Sequence, residues 1–151
     1  PRRPATWADT FSSIEREMEH NGLAASTSLA CEAIGGEFQE APPTLSDAGE
    51  WVAVARVVDM HSMDEIYKAA GKHEERRPAR RSAYCQILNY VLHRIGSYMM
   101  QAFQPSADRP GLHARDLESH LRRRFGALLE RAANGNQQAC GVTAEEVQLR
   151  A

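Results

Sequence analysis

The sequence predicts an all-α protein, a single compact, bundle-like domain of five to seven helices around one long central helix. Three observations carry that expectation. Residues 82–103, SAYCQILNYVLHRIGSYMMQAF, place Tyr84, Ile87, Leu88, Val91, Leu92, Ile95, Tyr98 and Met99 on the i, i+3, i+4, i+7 stripe of an amphipathic helix. Pro- and Gly-rich stretches near residues 35–46, 71–78 and 104–111 divide the remainder into helix-length pieces. No segment shows the sustained alternation and β-branched enrichment that mark strands.

A chain of 151 residues is most simply one domain, here 1–151, with a hinge at 35–46. Its size lets roughly 68–70% of the unfolded surface be buried without staples. No apolar run reaches the ~18 residues of a membrane span, and residues 1–20 lack the apolar stretch of a signal peptide. Cys31, Cys85 and Cys140 are odd in number and far apart, which argues against a disulfide framework and for a reducing, intracellular (cytoplasmic) setting.

Element by element, Thr6 offers an N-cap with Asp9 three residues on. Trp7, Phe11, Ile14 and Met18 then form the stripe of a first helix that stops at Asn21 and Gly22. Leu29, Ala30, Ala33 and Ile34 suggest a second, Ala-rich helix ending at Gly35 and Gly36. Residues 35–46, with Pro42 and Pro43, are expected as loop. Ser46 is placed to cap a third helix through Trp51, Val54, Ala55 and Val58. Ser62 with Glu65 forms a capping-box pattern for a short helix over Ile66, Tyr67 and Ala70, closed by Gly71.

Pro78 suits a helical first turn, so the central helix is expected to cover about 79–103. At about 1.5 Å per residue, residues 82–103 alone would be roughly 33 Å long. Residues 112–133 carry Leu117, Leu121, Phe125, Leu128 and Leu129 on one face. Thr143 with Glu146 caps a short terminal helix.

The charge layout carries the functional expectations. Residues 1–70 hold 5 Lys+Arg against 12 Asp+Glu, a balance of −7, whereas residues 71–151 hold 13 against 8, a balance of +5. Such asymmetry fits either a basic surface awaiting a polyanion or two halves that neutralise each other. Arg76, Arg77, Arg80 and Arg81, with Lys72 just before them, crowd the start of the central helix, where cations oppose the positive end of the macrodipole. Phosphate at the free amide groups would relieve that repulsion; so would carboxylates from Glu74, Glu75 or the acidic first helix. Arg122, Arg123 and Arg124 form a second basic patch, of which at most two can share one helix face, with Glu118 one turn before Arg122 as an internal counter-charge.

The segment SMDEIYKAAG, residues 62–71, resembles the first helix of a helix-turn-helix through the spacing of Ile66, Ala70 and Gly71. It departs from that pattern just beyond, where Lys72, His73, Glu74, Glu75 and Pro78 replace an apolar second helix. The resemblance implies DNA contact. Metal and catalytic sites are not expected, because the cysteines lack CxxC spacing, the histidines form no HxxxH pair, and no phosphate loop or nucleophile elbow is present. A Cys85 dyad with His93 or His61 is the one catalytic pairing left open.

Two functions follow from these features. One is a regulator that binds DNA through the arginine cluster. The other is a non-enzymatic helical adaptor or inhibitor for an acidic or other protein partner, with Glu15 and Glu19 of the first helix and Tyr90 and Met100 on the central-helix flank as interface. A homodimer is compatible with the second. Neither requires a cofactor.

Overall fold

The computed structural model describes residues 6–103 and 113–133. Its elements run α1 (Trp7–Asn21), α2 (Leu23–Ala33), β1 (Gly36–Glu40), β2 (Thr44–Leu45), β3 (Trp51–Asp59), β4 (Glu65–His73), α3 (Arg76–Ala102) and α4 (Ala114–Ala132). The all-α helical-bundle expectation is therefore overturned. Four helices accompany a four-stranded antiparallel sheet in which β3 is central, with β1 and β2 on one side and β4 on the other.

The two helices expected before residue 35 and the one expected over residues 112–133 do form. Thr6 caps α1, its hydroxyl accepting from the Asp9 amide while Asp9 accepts from the Thr6 amide, each at 3.1 Å. Gly22, at φ 90°, ends that helix and lets α2 begin at once. The central helix is longer than expected, starting at Arg76 and running 27 residues. Ile87, Leu88, Val91, Leu92 and Ile95 are each 0% exposed, so the apolar stripe is indeed core. The terminal helix expected over Thr143 and Glu146, and the loop at residues 104–111, lie outside the described residues.

What the sequence hid is the sheet. Trp51, Ala53, Ala55 and Val57 of β3 pair in register with His73, Gly71, Ala69 and Tyr67 of β4. Ala53, Ala55, Val57, Ala69 and Gly71 are buried on the face covered by α3. Four of these five are Ala or Gly because α3 lies close above them, and a strand lined with Ala has the composition of a helix. The residues of the expected third helix also satisfy i, i+3, i+4, i+7, so periodicity alone favoured the wrong element.

The capping-box pattern at Ser62 proves to be the turn of a hairpin. The Asp59 carboxylate accepts from the amides of His61 and Ser62, each at 2.9 Å, and the Met63 amide donates to the Asp59 carbonyl at 2.9 Å. Met63 takes the left-handed conformation, φ 64°, to close this turn. The helix-turn-helix resemblance falls with it, because residues 65–73 are strand and Gly71 is a close-approach residue, not a helix terminus.

Packing between the acidic and basic halves completes the fold. The rings of Phe11 and Phe125 meet at 4.9 Å between α1 and α4, and Trp7 packs on Tyr98 at 4.8 Å. Arg124 lies over the Phe11 ring at 4.5 Å and forms an ion pair with Glu15. Of the apolar residues on the expected helix stripes, Phe11, Ile14, Val58, Leu121 and Phe125 are fully buried, whereas Trp7, Val54 and Ile66 are only partly so. Val54 belongs to the opposite sheet face, where Val52 is half-buried and Arg56, Lys68, Ala70 and Lys72 are exposed.

Candidate functional site

The arginine cluster divides into two pairs with different fates. Arg80 donates to Glu40 at 2.7 Å and to the Tyr84 hydroxyl at 2.8 Å, and Tyr84 in turn donates to Glu40. The Glu40 hydrogen bond is the main cause raising the Arg80 pKa above its ordinary value. Burial, followed by the same carboxylate, raises that of Tyr84. Arg81 donates to the Ala132 carbonyl at 2.8 Å, placing a cation at the negative end of the α4 dipole. These two arginines fasten α3 to β1 and to α4.

Arg76 and Arg77 are exposed and have no hydrogen bond or ion pair among the described residues, although Arg76 sits over the Trp51 ring at 5.8 Å. The start of α3 follows Glu75, which makes no side-chain cap. Lys72 and Lys68 are exposed on β4, four residues apart, which in a strand puts them on one face about 13 Å from each other. Lys68 and Lys72 thus stand on the face of β4 opposite α3, and Arg76 and Arg77 open α3 a few residues beyond the end of that strand.

The other expected site residues are mostly engaged within the chain. Arg122 pairs with Glu118 at 2.5 Å, leaving Arg123 exposed beside it. Tyr90 stacks on Tyr67, with ring centroids 4.2 Å apart and planes within 5°. Met100 is half-buried against the core, and Glu15 is held by Arg124. Glu19 remains exposed on α1. The helical flank proposed as an interface is thus partly packed onto β4.

Lys68 escaped notice in the sequence because a lysine in a presumed helix carries no signal. On an edge strand, by contrast, paired lysines are a recognisable pattern. Gln86, a polar-face residue of the central helix with no functional signal in the sequence, donates its amide to the Ala70 carbonyl of β4 at 2.8 Å.

The remaining chemistry is sparse. Cys85 and His93 share α3 but stand eight residues apart, about 12 Å along the axis, which removes that dyad. His61 is exposed at the β3–β4 turn, whereas Cys85 is buried. Cys31 is fully buried, and desolvation pushes its thiol up to about 12, too high for a nucleophile near neutrality. Among the described residues no group of His, Cys, Asp and Glu could hold a metal ion.

A cleft of about 280 Å³ lies between Gln39, Val54, Arg56, Glu65 and Lys68, on the sheet face opposite α3 that no described helix covers. Its lining alternates in charge. Among the described residues the large exposed apolar side chains form no single patch, since Leu45 is at one end of the sheet and Met60 and Met63 are at the other. No described helix is long and apolar enough to cross a membrane. Comparison with protein-family models, curated proteins and solved structures finds no match for this chain.

Proposed function

We propose that this chain is a protein-binding module that docks an acidic segment of a partner along β4, which carries Lys68 and Lys72 and leads into Arg76 and Arg77 at the start of α3. The observation that carries the reading is the division of the cations. Arg80, Arg81, Arg122 and Arg124 are bonded within the chain, while among the described residues Lys68, Lys72, Arg76 and Arg77 have no hydrogen bond or ion pair. Net attraction for an acidic partner falls where cations lack internal carboxylates.

Nucleic acid is the competing polyanion, and the edge suits it less well. Duplex binding draws on many phosphate contacts, whereas four cations interrupted by Glu74 and Glu75 offer few. Charges spaced about 13 Å along a strand match carboxylates on an extended polypeptide. A reducing intracellular setting accords with this reading, because Cys31 is a buried thiol outside any disulfide.

The test is a salt-titrated comparison of an acidic peptide with duplex DNA. The reading predicts saturable peptide binding that is lost when Lys68→Glu and Lys72→Glu are combined. Four phosphate contacts would instead give DNA binding with a slope of log K against log salt near −3.6. That slope, with no peptide binding, would replace the acidic-partner reading by a nucleic-acid one.

A further inference from the structure

We infer that β4 is a strand-addition edge, gated by Gln86, which receives the partner's acidic segment as an extended fifth strand. The inference rests on the protein-binding reading above and specifies its geometry.

The direction of the backbone groups follows from the ladder. The Ala41 amide donates to the Val54 carbonyl at 3.0 Å, so Val54 turns its polar backbone toward β1. Antiparallel residues alternate in this respect, so Val52, Val54 and Arg56 face β1 and β2, while Ala53, Ala55 and Val57 face β4. Register pairs the latter with Gly71, Ala69 and Tyr67. Lys68, Ala70 and Lys72 therefore direct their amides and carbonyls away from the sheet. The Gln86 bond to the Ala70 carbonyl, made from outside the ladder, agrees with this assignment.

Gln86 occupies one acceptor that an added strand would use. Its Nε2 also donates to the Ser82 hydroxyl at 3.2 Å, which holds the amide in place. Covering an edge in this way discourages indiscriminate pairing, and the two lysines add charge to the same protection. Neither device blocks a partner whose carboxylates offset Lys68 and Lys72 and whose backbone amide replaces that of Gln86.

The side chains specify the partner's pattern. On the uncovered face, Lys68 and Lys72 flank the small Ala70, so carboxylates on alternate residues of an added strand come opposite or diagonal to the lysines. On the other face, the stacked, half-buried rings of Tyr67 and Tyr90 offer apolar surface to the intervening residues. Gln86, Asn89 and His93 form one stripe of α3 at spacings of three and four. Asn89 Oδ1 and His93 Nε2 are buried with no hydrogen-bond partner among the described residues. An alternating acidic and apolar segment is the occupant this edge selects.

The experiment uses the full chain and an alternating Glu–Val octapeptide, with a second copy of the peptide N-methylated at every other residue on the side that faces β4. Amide exchange followed by NMR should slow at Lys68, Ala70 and Lys72 when the first peptide binds. The N-methylated peptide should bind about tenfold or more weakly, since the loss of about two backbone hydrogen bonds is worth that much. Gln86→Ala should bind the unmodified peptide more tightly by freeing the Ala70 carbonyl. Equal affinity for both peptides without added protection would overturn strand addition yet leave charge-directed binding intact. Failure of either peptide to bind at low salt would overturn both. Concentration-dependent protection of the same amides without peptide, accompanied by a dimeric mass, would make a second copy the occupant and overturn the proposal.

Discussion

A Cβ atom placed on Gly71 would lie 2.1 Å from the carbonyl oxygen of Ala79 and 2.8 Å from the amide nitrogen of Ala83. The strand and the first turns of α3 are therefore in backbone contact, and α3 cannot move away without losing its cover of β4. Gly71→Ala is expected to destabilise the fold by about 3 kcal/mol, the upper end of ordinary overpacking costs, because rigid backbone is what must yield. Denaturant unfolding measures this. An unchanged midpoint would show that α3 does not lie so close.

The two arginine pairs should behave oppositely. Replacing Arg80 and Arg81 together by Ala removes the Glu40 ion pair and the bond to Ala132, and should cost about 1–3 kcal/mol, since both are only partly buried. Replacing Arg76 and Arg77 by Ala should leave the melting temperature within a degree or two, about the size of an ordinary surface substitution. Thermal melts of the two double variants decide the matter. Similar losses in both would mean that Arg76 and Arg77 are also structural.

Stability should depend on pH through His93. Burial holds its imidazole pKa below the ordinary value, so the unfolded chain takes up a proton before the folded one does. The contribution is complete above the unfolded pKa of about 6.5 and is lost as pH falls toward the folded value. Asp59, whose carboxyl pKa is lowered chiefly by the Ser62 and His61 amides, acts at more acidic pH. The melting temperature should fall between pH 7.5 and 5.5, and His93→Gln should flatten that interval. An unchanged pH dependence in the variant would assign the slope to other groups.

Much of the α-helical part was legible in the sequence, and the sheet was not. Thr6 with Asp9, the Phe11 and Ile14 stripe, and the run from Ile87 to Ile95 are helical at every level: cap, propensity and burial agree. In β3 and β4 the levels conflict. Ala53, Ala55, Ala69 and Gly71 are small to admit α3, a tertiary requirement that erases the β-branched signature on the buried face. The alternation of Val52 and Val54 with those alanines was the available clue. The candidate site was legible only as charge: Lys72, Arg76 and Arg77 stood out, but Arg80 and Arg81 were indistinguishable from them until Glu40 and Ala132 came into reach.

The thiol of Cys31 should be inert while the protein is folded. It is fully buried and its pKa is pushed up to about 12, mainly by desolvation and secondarily by Glu32. At pH 8 iodoacetamide should leave Cys31 unmodified in native protein and alkylate it in denaturant, as read by peptide mass spectrometry. Rapid native alkylation at Cys31 would contradict the packing of α2 against the core.

Amide exchange across β4 in the free protein tests the central claim that this strand is an outward-facing edge. The amides of Tyr67, Ala69 and Gly71, bonded to β3, should exchange slowly, and those of Lys68, Ala70 and Lys72 should exchange fast, giving protection that alternates with a period of two. Uniform protection from Ile66 to Gly71, as in a helix or a doubly paired central strand, would contradict the account.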